Sequence, residues 1–517
     1  LPFGMTFNSL PLVVFFPIVF LLYWLAGRTG SKSWRLQNLI LLCASYTFYA
    51  WWDWRYLCLL MGVTVTTYIT SLLAARRDHA LLWTTVNIAI CVLTLVTFKY
   101  FNFFSENLQW LFSTFGWNID WFTLEVLLPV GISFYTFQAI GYSVDVYRRE
   151  ITPERNIAHV ALFLAYFPQL VAGPIERAAH LMPQLIRQRK WHYATAVDGA
   201  RQALWGMFKK VVIADALAVY VDGVMSHPSY YLAHAPGTVV VAMLTFAMVI
   251  YCDFSGYCDI ARGVSRCLGI DLMQNFRFPL FARNVKQWWQ RWNVSLMHWF
   301  RSYIYFPLGG SRCSRLRTCI NIMIVFLISG LWHGASWTFV LWGVYWGVIS
   351  VVGRFLPKRR LSIASPYNGI PSMIALSTLS WVFFRSPNIV DMVAILPLSL
   401  VSLSLLALGG EIAVWTWHKL NHRLTMNLTI VSALMAVAII IACTIFNTTA
   451  AIAAILRWLP WVWGAVMLVV EWRARHLTHG LQQVPRSAAL RLVCYMAIIL
   501  LILTSTAQPT AFIYFQF

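Results

Sequence analysis

The residue of this 517-residue chain best placed to do chemistry is His333, in Gly330-Leu331-Trp332-His333-Gly334-Ala335-Ser336-Trp337. Between Arg317 and Arg354 there is no Asp, Glu, Lys or Arg, and His333 is the only histidine. An ionisable group inside a lipid-like segment is costly, so its default reading is a functional site. A neutral imidazole can act as general base toward a hydroxyl. Upstream, Trp288-Trp289-Gln290-Arg291-Trp292-Asn293 ends on an amide that cannot take a proton. It can orient a substrate or donate to a developing oxyanion. His333 and Asn293 together suit acyl transfer. The competing reading is that His333 hydrogen-bonds a neighbouring helix and that Asn293 caps or glues one.

Other polar residues read as structural. Asp253 and Asp259 precede Arg262 and Arg266, and pairing that holds a funnel mouth is expected there. Glu176 is expected to pair with Arg177 or Arg187. His298, five residues beyond Asn293, does not share its helical face and reads as an interfacial residue. His227 and His234 read as solvated loop residues. The ten cysteines show no metal-ligand or redox spacing, so neither a zinc site nor a disulfide framework is supported.

The elements that must position these residues follow from composition. Hydrophobic residues are 60% of the chain and charged ones 11%, and apolar stretches of about 20 residues recur throughout. This predicts an all-α polytopic membrane bundle of roughly eleven or twelve segments, since strand alternation of the barrel type is absent. The net charge of +21 gathers between the apolar runs. Positive-inside bias and anionic lipid explain it without nucleic acid. Residues 5–517 read as one membrane domain, with 1–4 a possible appended remnant ahead of Met5. The first apolar run lacks a basic n-region and reads as a retained helix.

Spans are expected near 10–26, 38–52, 56–75, 80–98 and 122–146. Basic residues follow the first, third and fifth, which places the N-terminus outside and the odd connections in the cytoplasm. The run 158–175 carries Pro168 and Pro174. If it crossed, the basic residues beyond it, Arg187 through Lys209 and Lys210, would land outside. A broken or re-entrant segment is therefore expected. Spans near 204–225 and 238–257 follow.

From Arg262 to Arg317 ten Lys or Arg stand against one acid, Asp271, interleaved with aromatics, which suits interfacial helices. The patch either binds acidic headgroups or forms a funnel for a phosphate-bearing ligand. Residues 318–353 would measure about 54 Å as one helix, too long for one crossing, so a break near Gly330 and Gly334 is expected. Further spans are expected near 371–384, 389–409, 426–446, 449–469 and 492–514.

Several motifs in order carry a likeness. Phe167-Pro168-Gln169-Leu170-Val171-Ala172-Gly173-Pro174-Ile175, Asp253-Phe254-Ser255-Gly256-Tyr257-Cys258-Asp259, Arg291-Trp292-Asn293-Val294-Ser295-Leu296, Tyr305-Phe306-Pro307-Leu308-Gly309-Gly310 and the His333 motif resemble the membrane-bound O-acyltransferase family. The bacterial alginate O-acetyltransferase subfamily, which also acetylates polymers such as cellulose, is the nearest likeness, and it extends from Met5 through the whole length. The resemblance implies a catalytic His333, a signature residue at Asn293, and acetyl-CoA entering from the cytoplasm. Its binding would fall to Arg283, Lys286, Arg291 and Arg301 with Trp288 and Trp292, and no metal is implied. It also implies a bacterial inner-membrane location and an SGNH-like extracytoplasmic or membrane-anchored partner within an exopolysaccharide synthesis and export complex. The chain departs from alginate systems at Asn293, where they have His, and at Tyr345-Trp346-Gly347, where they have a further His. The alternatives are a transporter or flippase for a polysaccharide or its lipid-linked precursor, and the same chemistry on peptidoglycan or a D-alanyl carrier. The transporter reading expects an internal repeat or a series of intramembrane charges, neither evident in the sequence.

Overall fold

The computed structural model describes residues 9–28, 33–76, 78–117, 128–225, 234, 236–355, 369–420, 448–485 and 487–505, with backbone alone for Leu10, Pro236, 413–420 and 448–457. The expected span at 426–446, the remnant at 1–4 and His227 fall outside these residues. Among the described residues every regular element is helical. Six helices are long and apolar enough to cross a membrane: Trp54–Ala74, Ala80–Thr114, Gly237–Cys267, Arg315–His333, Trp337–Phe355 and Ile389–Ile412. Shorter apolar helices cover Pro11–Ala26, Ile370–Arg385 and Ala488–Thr504.

The break required between 318 and 353 falls at Gly334. One helix ends at His333, and the next begins at Trp337. Each has 19 residues, about 28 Å, or one bilayer thickness. The pair forms a tight hairpin because glycines remove the side chains that would separate the backbones. A Cβ on Gly330 would stand 2.3 Å from the Phe339 carbonyl oxygen, and one on Gly343 2.5 Å from that of Phe326.

The run 158–175 breaks as its prolines require. A nine-residue helix, Ile157–Ala165, stops at Tyr166, and a four-residue turn, Phe167–Leu170, follows. Residues 159–176 are all buried, so this irregular backbone is packed in protein. The span expected at 80–98 instead continues through π-helical turns at Val96–Tyr100 to Thr114, and that bulge turns two polar side chains toward His333.

Near 204–225 the helix Tyr193–Met207 passes through π turns at Phe208–Asp215 into Ala216–Met225. It packs on Pro236–Cys267 with Gly206 against Gly256, where a Cβ on Gly206 would lie 2.5 Å from the facing carbonyl oxygen. Here the ion pairing differs from expectation. Lys209 and Lys210 are buried instead of lying on a cytoplasmic basic segment. Lys209 reaches Asp259 at 2.6 Å and Glu471 at 3.5 Å, and Lys210 reaches Asp215 and Asp253 at 2.7 Å each. Arg262 and Arg266 pair instead with Asp271 and Asp198. Carboxylates held between helices need counter-charges at the same depth, and the lysines supply them. Charges buried between helices, unseen in the sequence, therefore exist as paired charges.

Glu176 also takes another partner, accepting from the Met273 backbone N–H and lying 2.7 Å from His180 Nδ1. Arg177 binds Asp145 and Glu150 at 2.9 and 2.7 Å.

Candidate functional site

His333 is the last residue of its helix and is 4% exposed. Three rings meet its imidazole edge-to-face, with centroids at 4.9 Å for Trp332, 4.7 Å for Trp342 and 5.0 Å for Phe384. Trp342 comes from the returning arm of the hairpin and Phe384 from the helix Ile370–Arg385. A helix end leaves carbonyls without intrahelical donors. Lys99 Nζ donates to Trp332 O at 2.7 Å and His333 O at 3.1 Å, and Tyr100 Oη donates to Leu331 O at 2.7 Å. The π bulge at Val96–Tyr100 thus fixes the end of the His333 helix from a third element.

Asn293 is the N-cap of the helix Val294–Phe300, with φ 42° and ψ 54°. Asn is among the residues that tolerate this left-handed conformation. Its side chain makes no capping hydrogen bond. Asn275 holds that terminus instead, with its main-chain oxygen accepting from Val294 N and its Oδ1 from Ser295 N. The capping alternative for the Asn293 side chain therefore fails. Its Nδ2 is buried with no acceptor among the described residues.

Two aromatic walls connect Asn293 and His333. In one, Trp292 lies 5.1 Å from Trp381, Trp381 5.2 Å from Phe384, and Phe384 meets His333. In the other, Trp299 stacks on Phe137 at 3.9 Å and 10°, and Phe137 lies 5.8 Å from Trp332. Trp299 Nε1 also donates to Phe137 O at 2.9 Å, which locks the Asn293 helix to the helix Ile132–Tyr147.

The residues expected to bind a phosphate-bearing donor separate into groups. Trp288 and Trp292 are buried and stacked at 5.2 Å and 8°, so they wall the interior. Arg283, Lys286 and Arg301 are exposed, and Arg291 is half-buried. Burial, and next the neighbouring Arg283 charge, push the Arg291 guanidinium below its usual range. Arg301 belongs to a second positive locus around His298. Partial burial, followed by the charges of Arg177, Arg301 and Arg277, holds that imidazole below its ordinary value. Among the described residues no group of His, Cys, Asp or Glu is arranged to hold a metal ion.

Sequence reading missed Lys99 and Tyr100, which looked like the end of a span, and Trp342, Trp381 and Phe384, which looked like ordinary core. The one signal present was a lysine directly beyond an uncharged run, in Thr97-Phe98-Lys99-Tyr100.

Comparison with known proteins gives the same direction. The model of the MBOAT, membrane-bound O-acyltransferase family, matches residues 79–358, which include Lys99, Asn293 and His333. The chain is 34% identical over 440 residues to the probable alginate O-acetylase AlgI of Azotobacter vinelandii, covering 83% of this chain and 82% of that protein. It is 36% identical over 388 residues to the probable alginate O-acetylase AlgI of Pseudomonas putida, covering 73% and 76%. A peptidoglycan O-acetyltransferase of Helicobacter pylori is 33% identical over 469 residues, covering 82% and 85%.

Proposed function

The chain belongs to the membrane-bound O-acyltransferase family, and we propose that it moves an acetyl group from cytoplasmic acetyl-CoA across the bilayer for O-acetylation of an exported polysaccharide of the alginate or cellulose type. It is a multi-pass O-acyltransferase of the bacterial inner membrane. The observation that carries the finer reading is His333 at the break of the hairpin, enclosed by rings and connected through them to the Trp288–Trp292 wall.

Acetyl-CoA phosphates would dock on the basic residues Arg283, Lys286 and Arg291, with Arg301 contributing from the second locus around His298, where guanidinium groups suit bidentate contacts. The arm bearing the thioester would run between the aromatic walls, with Trp288 and Trp292 as part of its lining. His333 would accept the proton of an acceptor hydroxyl as that oxygen attacks the thioester carbon, then return it to the departing thiolate. Asn293 Nδ2, which has no acceptor among the described residues, would orient the reactants or donate to the developing oxyanion. A membrane-anchored or extracytoplasmic SGNH-like acetyltransferase would pass the group to the polymer as part of an export complex.

The peptidoglycan relative favours a second reading, the same chemistry with a cell-wall acceptor. The test is release of free CoA from radiolabelled acetyl-CoA by the protein in nanodiscs, with His333→Ala alongside and the partner added or withheld. Turnover that vanishes in the variant supports the proposal. Full activity in a folded His333→Ala protein overturns it, and acceptor polymers offered in parallel separate the two readings.

A further inference from the structure

Several indoles of this protein find acceptors: buried Trp205 Nε1 donates to Glu471 and Trp299 Nε1 to Phe137 O, partly buried Trp24 Nε1 to Cys267 O, and exposed Trp337 Nε1 to Asn107 Oδ1. The wall beside His333 gathers indoles that do not. Trp342 and Trp346, 1% and 0% exposed, have buried Nε1–H groups with no acceptor among the described residues. The Nε1 of Trp289, packed at right angles to Trp342, shares this condition, as does Asn293 Nδ2. An indole can only donate, so the three indoles cannot satisfy one another. A contact of an N–H with the face of a neighbouring ring is second-order and does not replace a carbonyl. These four donor groups have no acceptor among the described residues.

The two tryptophans of the returning arm are ordered along the site. They lie four residues apart on one helix face, with Cβ atoms about 5–6 Å from each other. Trp342 meets the His333 ring at 4.7 Å and 78°. Trp346 lies parallel to Trp288 at 6.2 Å, toward the Trp288–Trp292 wall. A line from the basic face to His333 thus passes Trp346 first and Trp342 second.

We propose that Trp342 and Trp346 read the acyl donor through their indole N–H groups. Trp342 donates to the thioester carbonyl oxygen beside His333, and Trp346 donates to the amide carbonyl nearest the sulfur. In an acylated cysteamine arm those two carbonyl carbons are five bonds apart, roughly 6 Å when extended, of the order of the Cβ separation of residues four apart on a helix. Attack by the acceptor oxygen opens the carbonyl π bond and places charge on the thioester oxygen. Trp342 stabilises that charge without giving up its proton, which remains on nitrogen while His333 carries the transferred proton. Trp346 fixes how far the arm enters. This deepens the acetyl-CoA reading and rests on it.

The test replaces the indole of Trp342 or of Trp346 with benzothiophene, which keeps the ring shape and removes the N–H. Thioester cleavage is measured in nanodiscs with acetyl-CoA and with an analogue whose amide carbonyl nearest the sulfur is replaced by CH2. Removing the Trp342 donor lowers kcat by ~100-fold with both donors and leaves KM nearly unchanged. Removing the Trp346 donor raises KM for acetyl-CoA about fivefold and leaves the analogue unaffected. Equal losses on both donors from the Trp346 replacement, or no loss from either replacement, overturn the proposal while acetyl-CoA turnover by the unaltered protein stands. Absence of thioester cleavage by the unaltered protein with its partner present overturns the acetyl-CoA reading itself, and this proposal with it.

Discussion

Lys99 Nζ donates to the carbonyl oxygens of Trp332 and His333, so the amine of one helix caps the end of the helix that carries the candidate base. It supplies the donors that the last turn lacks. Lys99→Met removes both hydrogen bonds. Each buried carbonyl left without a donor costs about 1–3 kcal/mol. A displacement of the imidazole by about 1 Å lowers kcat by roughly 100-fold. Lys99→Gln retains one donating group and keeps more of both. Acetyl-CoA turnover and the thermal midpoint of the two variants check this. Equal turnover in Lys99→Met and the unaltered protein would remove Lys99 from the positioning of His333.

Hairpin closure predicts a contrast between neighbouring glycines. A Cβ at Gly343 meets the rigid Phe326 carbonyl at 2.5 Å, whereas one at Gly347 meets Met323 Sδ and Cε at 2.7 and 3.0 Å, the far end of a flexible side chain. Gly343→Ala forces the two arms apart at about 1–3 kcal/mol and displaces Trp342 from His333. Gly347→Ala lets Met323 turn aside and costs less, because methionine repacks readily. Thermal midpoints of the two proteins in one detergent check the order.

The legibility of the site in the sequence follows the range of each interaction. His333 stood out because the only histidine in a 36-residue run without Asp, Glu, Lys or Arg contrasts with its local surroundings. The helix break was legible because length alone required it. The wider enclosure was not, since Lys99 lies 234 residues from the carbonyl it caps, and no periodicity encodes that contact. Asp253 and Asp259 were recognisable as paired carboxylates, but their partners were misassigned to arginines close in sequence. The π turns at Phe208–Asp215 carry Lys209 and Lys210 inward, and that change of helical register leaves no compositional mark. The basic stretch was visible as charge, while its division into loci at Arg291 and His298 depends on tertiary folding.

The buried ion network predicts unequal effects from its two ends. Lys209 is 2% exposed and faces both Asp259 and Glu471, so Lys209→Met strands two carboxylates at depth. Breaking one side of such a pair costs about 3–5 kcal/mol. Glu471→Gln is milder, since an amide oxygen still accepts from Tyr251 Oη, which lies 2.6 Å from Glu471, and Lys209 keeps Asp259. Detergent-solubilised yield and thermal midpoint should fall strongly in the first and slightly in the second. The reverse order would show that the lysine charge is not compensated by these acids.

The pair Glu176–His180 predicts how stability depends on pH. The hydrogen bond to Glu176 raises the His180 imidazole above its ordinary value, and burial raises the Glu176 carboxyl. The folded chain therefore holds the His180 proton more tightly than the unfolded chain does. Its contribution is fully present below the ordinary histidine value of about 6.5 and is lost as pH rises through the raised one. The Glu176 shift has the same sign, and its contribution begins to fall from near the ordinary carboxyl value of about 4.3. Both groups thus lower stability as pH rises, and the His180 part is isolated by comparison with a variant that lacks the imidazole. Thermal midpoints of the unaltered protein and His180→Gln, taken from about pH 6 to about pH 9, should converge as pH rises. A difference that stays constant across that range would mean that His180 stabilises the turn before Met273 by packing and neutral hydrogen bonding, with no contribution from its charge.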